Sequence, residues 1–159
     1  MLVKESAAQA AKSTLEQVWD GEFPIDPRKL AEAHGIKVEF VSLLEDISGA
    51  IVANDRDDVR ILVSETEDFA RQRFTIAHEL GHYIERRIAN DDEYSFVERR
   101  GGAYSLHELF ADTYAANLLM PESKFRRIHD ITNDISVIAN YFAVSPSAAR
   151  MRANKLGLR

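Results

Sequence analysis

Cysteine is absent from the 159 residues. That absence excludes disulfides, thiolate metal ligands and a cysteine nucleophile, and leaves nitrogen and oxygen as the donors open to any metal. Proline and glycine are scarce, at four and seven residues, and no repeat or low-complexity segment interrupts the chain. A run of about 18 apolar residues, the length needed to cross a bilayer, is also missing. The opening MLVKESAAQAAKSTLEQVWDGEF has no apolar core of signal-peptide length. The expectation is a soluble, cytoplasmic protein with no membrane partner. What is present is 45% hydrophobic residues, enough in a chain of this length to bury a core without a metal to hold it. A metal here would serve chemistry rather than folding.

The net charge of −6 is unevenly spread. Residues 1–123 carry 13 Lys and Arg against 24 Asp and Glu, whereas residues 124–159 carry 7 against 2. The basic C-terminal stretch is therefore a different surface from the rest, most simply a solvated face, and only secondarily a nucleic-acid contact.

Residues 5–19 read as an amphipathic helix. DPRKLAEAHG reads as a second, with Asp26 as N-cap, Pro27 at the first helical position and Gly35 as the stop. IKVEFV alternates as a strand, and SGAIVAN, the turn DRDD and VRILVS form a predicted β-hairpin, so residues 36–63 make a small sheet. Ser64 is the expected cap of a helix over about 66–88. NDDEYSFVERRGGAYS reads as a polar loop, followed by a helix over about 105–119 that Pro121 ends. Short helices are predicted near 122–129, 134–142 and 146–156, the last opened by Ser145 and Pro146. Helices, then sheet, then helices is an α+β order.

Within the long helix, AHELGH places His78 and His82 four residues apart, so both rings lie on one face, as two ligands of one ion require. Glu79 points about 100° away from His78, out of reach of the same ion but able to meet a water beside it, the general-base position of an HExxH peptidase. Ile76, Leu80, Ile84 and Ile88 form a stripe opposite the histidines, suited to packing on the sheet. By chance HExxH arises in about one chain in a hundred of this composition, so the motif alone is a hypothesis. A catalytic zinc needs a third ligand. The metzincin extension would put glycine and histidine where this chain has Glu85 and Ile88, which removes that class. SLHELFADTYAANLLMP instead offers Glu108 as a ligand, with Asp112 four residues on as an acceptor for a ligand histidine's N–H. Glu85, Asp91, Asp92, Glu93 and Glu98 are rival carboxylates, Glu85 lying roughly 10 Å along the helix from His78.

RFTIAHELGH followed by ELFADTYAANLLMP resembles the ImmA/IrrE family of zinc metallopeptidases, and the likeness runs over roughly residues 25–157. The resemblance implies a zincin-like metallopeptidase core over 1–123, with a small β-sheet and an HExxH active-site helix. A helical subdomain over 124–159 would pack on it, its last helices resembling a helix-turn-helix. It implies one zinc ion (Zn2+) per chain held by His78, His82 and Glu108, Asp112 behind them, and Glu79 as the catalytic acid and base. It further implies an endopeptidase that cleaves a helix-turn-helix repressor. The 159 residues have room for neither a DNA-binding nor a sensor domain of their own, so that repressor is expected to be a separate polypeptide. Many members carry a further histidine where this chain has Arg86.

Other roles stay open. Tyr94, Tyr104, His107 and Tyr114 are candidates for stabilising an oxyanion, although for His107 packing or capping is the plainer role. An exposed edge of the VRILVS hairpin could hold an extended substrate by strand addition. The terminal helices, with Arg150, Arg152 and Lys155, imitate a DNA-reading unit, but Val137, Ile138, Tyr141, Phe142, Val144, Ala148, Ala149, Met151 and Leu156 read as a small core, so direct DNA contact is not the expected role. The remaining alternative is a zinc-binding partner that sequesters a regulator without cleaving it.

Overall fold

The computed structural model describes residues 2–55, 57–89, 96–99 and 104–159. In chain order the elements are α1 (Val3–Val18), α2 (Pro27–Ala33), β1 (Lys37–Val41), β2 (Ile47–Asp55), β3 (Asp58–Ser64), α3 (Phe69–Ile88), β4 (Phe96–Arg99), α4 (Leu106–Leu119), α5 (Glu122–Ile131), α6 (Ile135–Phe142) and α7 (Pro146–Lys155). This is the mixed α+β arrangement expected from the sequence, and most helix ends fall within a residue or two of their capping signals. Asp26 accepts from the Arg28 amide ahead of α2, and Gly35 follows that helix at φ +79°, a left-handed conformation that glycine adopts without strain. Ser145 accepts from the Ala148 amide to open α7. The long helix is the exception. It starts later than expected, with Asp68 rather than Ser64 as its cap, because the Asp68 carboxylate takes the Arg71 amide while the Ser64 hydroxyl is engaged with Thr66 at the end of β3.

The strands pair in the order β1-β3-β2-β4. β2 and β3 form the expected antiparallel hairpin, β1 lies parallel to β3, and β4 lies antiparallel to β2. Two expectations change. The stretch taken for a polar loop contains a strand, β4, too short and too charged to show a period of two; its pairing with β2 supplies what the local pattern lacked. VRILVS does not offer an edge, because β3 has a neighbour on each side, so the outer edges belong to β1 and β4.

The sheet turns Val38, Ile51, Val59, Ile61 and Val63, all buried, toward the helices. α3 crosses β2 and β3 on that face. Every residue from Thr75 to Tyr83 on α3 is buried, so the helix is enclosed on all sides there rather than amphipathic, while Ile88, expected in the apolar stripe, is 62% exposed because α3 runs out past the core. α4 packs across α3 and against α1, where small residues Ala7, Ala10 and Ala11 let the helices close and the Tyr114 hydroxyl meets Thr14 at 2.8 Å. Ile138, Ala139, Phe142, Val144, Ala149 and Ala153 of the C-terminal helices belong to this same hydrophobic cluster. Val137 and Met151, read as core from the sequence, are about half exposed (51% and 56%), since they fall on the outer faces of α6 and α7. Among the described residues no helix is long and apolar enough to cross a membrane.

Candidate metal centre

Two helices supply the site, and glycines decide how closely they are held. Gly81 sits inside α3, where glycine costs about 1 kcal/mol relative to alanine. A Cβ there would lie 3.1 Å from the Ala111 Cα and 3.1 Å from the Tyr114 ring, so the missing side chain is what lets the α4 backbone approach. Gly49 plays the same part on the sheet side. A Cβ on it would overlap the Thr75 side chain and reach within 3.8 Å of the Glu79 Cγ. α3 is thus pressed between β2 and α4 at the level of its histidines.

The consequence is convergence. Ser105 caps α4 by accepting from the Glu108 amide, which puts Glu108 in the first turn, near the positive end of the helix dipole. The two Glu108 carboxylate oxygens then face the two imidazoles, His78 Nε2 at 3.3 Å and His82 Nε2 at 3.0 Å. One donor atom from each of the three lies within 4.8 Å of the others. Ligands of a tetrahedral ion with bonds of about 2.0–2.1 Å stand roughly 3.3 Å apart, so the spacing suits a single ion at the centre. The donor set, two imidazoles and a carboxylate, is one used by catalytic zinc. The residues fit a divalent metal.

Glu79 is fully buried beside this group. Carboxylates are rarely buried unless paired or serving a metal or a reaction. Asp112, one turn beyond Glu108, brings Oδ1 to 2.7 Å from His78 Nδ1. A carboxylate in that place accepts from Nδ1–H and leaves the Nε2 lone pair facing the other donors. Its second oxygen accepts from the Tyr104 hydroxyl at 2.9 Å. Desolvation, with the hydrogen bond and charge of Asp112, pushes the Tyr104 phenol up to about 12.

Of the residues singled out in the sequence, His78, His82, Glu108 and Asp112 come together, and Glu79 is buried on the same turns of α3 as the two histidines. The rivals do not join them. Glu85 is taken by His107 at 2.9 Å, which makes His107 a tie between α3 and α4. Asp91, Asp92, Glu93 and Tyr94, with the side chain of Glu98, lie outside the described residues. Tyr114 is committed to Thr14 in the core, where burial raises its phenol above the ordinary value. His34 turns Nδ1 to the Leu30 carbonyl at 2.8 Å.

Sequence reasoning missed the partnership of Tyr104 with Asp112 and the reason for Gly81. For Gly81 a signal existed, since a glycine within a helix marks a close approach. Arg152, grouped in the sequence with Arg150 and Lys155 as imitating a DNA-reading unit, does not lie on the surface. It is buried, its Nε donating to the Met120 carbonyl at 3.1 Å and its terminal nitrogen to Asn117 Oδ1 at 3.1 Å.

Comparison with known proteins bears on the fold and on the family. A Mycobacterium tuberculosis transcriptional regulator of known structure superposes with a TM-score of 0.63 at 21% identity, over 96% of this chain and 46% of that one. At that identity the likeness speaks for the fold, and the chain spans about half the length of that regulator. No curated protein matches the chain significantly. The model of Peptidase_M78, described as the IrrE N-terminal-like domain, matches residues 31–154, a span that holds all five site residues. The chain belongs to the Peptidase_M78 family, the IrrE N-terminal-like domains.

Proposed function

We propose that this chain is a zinc-dependent endopeptidase, with His78, His82 and Glu108 as the metal ligands and Glu79 as the acid and base. The observation that carries the reading is the placement of three nitrogen and oxygen donors around one point, with a buried glutamate on the next residue of the same helix. Zinc bound there would supply Lewis acidity that activates water near neutral pH. Glu79 takes the proton of the attacking water and passes it to the leaving amine, so one carboxylate serves both half-reactions. Asp112 keeps His78 presenting Nε2. Burial of His78, Glu79 and His82 excludes bulk water and strengthens each of these interactions.

An extended substrate would add to the sheet at the outer edge of β4, since β3 is enclosed and β4 borders β2, the strand that touches α3 at Glu79. Main-chain pairing would hold many sequences, leaving specificity to docking elsewhere. For the substrate we favour a separate helix-turn-helix repressor, which would place the protein in the cytoplasm. The regulatory name of the M. tuberculosis relative accords with such a setting. Residues 124–159 then act as a helical subdomain packed on a core of residues 1–123, and α6 and α7, read as the helix-turn-helix-like part, form scaffold or docking surface. Burial of Arg152 weakens the case for direct DNA contact.

Co-expression with a candidate repressor, followed by mass spectrometry of fragments, tests the reading. Cleavage that disappears in Glu79→Gln is the expected result. If Glu79→Gln inactivates the repressor as well as the parent does, the protein sequesters its partner and does not cut it. Absence of near one equivalent of zinc in the purified parent would remove the metal site.

A further inference from the structure

Tyr104 is an exposed aromatic whose position hydrophobic burial does not explain. It is 64% exposed, yet its hydroxyl makes a directed 2.9 Å bond to Asp112 Oδ2. The residue stands just before the α4 cap, Ser105, so the phenol reaches over the first turns of the helix to a side chain eight positions on. Asp112 is the carboxylate that meets His78 Nδ1, and its side chain is 37% exposed. Held from one side only, such a carboxylate can rotate and exchange its partner for water. Held through both oxygens by groups from different elements, α3 and the connection into α4, it has one orientation.

We infer that Tyr104 is a positioning residue for the metal centre, locking Asp112 so that His78 is fixed with Nε2 turned toward Glu108 and His82. The inference rests on the metal-site reading above and adds a third layer to it: phenol, carboxylate, imidazole. The phenol is suited to this part because it stays protonated, and so a donor, throughout the neutral range. Partners of a metal-binding histidine typically matter 10- to 100-fold in affinity. Tyr104 stands one step further out and is open to water, so a smaller effect, about 3- to 10-fold, is expected.

The experiment is a double-mutant cycle read by zinc affinity, measured by competition of the apo-protein with a chromophoric chelator. Tyr104→Phe should weaken zinc binding about 3- to 10-fold and Asp112→Ala about 10- to 100-fold, and the double variant should bind like Asp112→Ala, because Tyr104 acts through Asp112. Cobalt(II) loaded in place of zinc should show an altered visible band in Tyr104→Phe, a change that a purely structural role would not produce. Thermal melting of apo Tyr104→Phe should match the parent, given how little of the ring is buried. Parent-like affinity in Tyr104→Phe, or a penalty that persists in full when Asp112 is already alanine, overturns the inference. A parent that binds no zinc removes the metal reading itself, and this inference with it.

Discussion

Where α3 crosses α4, buried imidazoles face partly exposed carboxylates, His78 and His82 against Glu108 and Asp112. Where the C-terminal helices meet the rest of the molecule, the buried charges are arginines, and what they meet is carbonyl and amide oxygen. Arg73, at the start of the same α3, donates to the carbonyls of Ala143, Ile25 and Phe142 at 2.9, 2.6 and 3.3 Å. Arg152 does the like for Met120 and Asn117 at the end of α4. The first region gathers charges that a cation can neutralise and is suited to chemistry. The second satisfies carbonyl and amide oxygens with donors that stay charged through the neutral range and is suited to holding segments together.

Substitutions that separate the two regions test this contrast, and the largest effect belongs to the first. Glu79→Gln removes the proton carrier while keeping shape and hydrogen-bonding atoms, so peptidase activity should fall roughly 10²- to 10⁴-fold with zinc still bound at about one equivalent. Activity against a cleavable repressor, alongside metal analysis, checks it. A loss of zinc together with activity would mean that Glu79 belongs to the metal set rather than to proton transfer.

Arg73→Met reverses the pattern. It leaves three main-chain carbonyls short of a buried charged donor, so stability should drop by about 3 kcal/mol. Denaturant unfolding gives that number, and zinc stoichiometry below the melting temperature should stay that of the parent. If stability is untouched but zinc is lost, the two regions are not separable and Arg73 belongs with the site.

The same contrast explains what could be read in the chain. His78, Glu79 and His82 were legible because helical spacing alone puts two rings on one face. The caps Asp26 and Ser145 were legible because a side chain three residues or fewer from its partner needs no tertiary information. Glu108 was legible only as one candidate among several carboxylates, and the family resemblance singled it out, since a residue 26 positions beyond His82 has no local tie to it. β4 was not legible: four residues on a sheet edge leave no period, and β2 had to be placed first. The fates of Arg73 and Arg152 were hidden for another reason. Arginine is ordinarily a surface residue, and only the arrival of a distant helix end makes burial tolerable.

Gly81→Ala probes the contact that joins sequence to site. Alanine raises helix propensity by about 1 kcal/mol, but its Cβ meets Ala111 and Tyr114 at 3.1 Å and forces α4 back by a few tenths of an ångström. The two terms nearly offset in stability. They do not offset in the site, where Glu108 rides on α4, and zinc affinity should fall about 10-fold while apo-protein melting changes little. Unchanged affinity in the chelator competition would mean that Glu108 reaches the histidines without the close approach.

The smallest effect expected is an absence of pH response at the arginine end. Burial lowers Arg152 to about 10, with Glu122 opposing the shift. A base depressed in the folded state binds fewer protons than in the unfolded chain between that value and its ordinary one, so the group's contribution to stability rises with pH only in that alkaline window. From about pH 6 to 9 the Arg152 guanidinium is charged in both states. The stability difference between the parent and Arg152→Met should therefore be flat across that range, measured by denaturant unfolding at each pH. A slope there would place the titration of Arg152 lower than its bonds to Met120 and Asn117 allow, and would make the C-terminal docking a pH-sensitive joint instead of a fixed one.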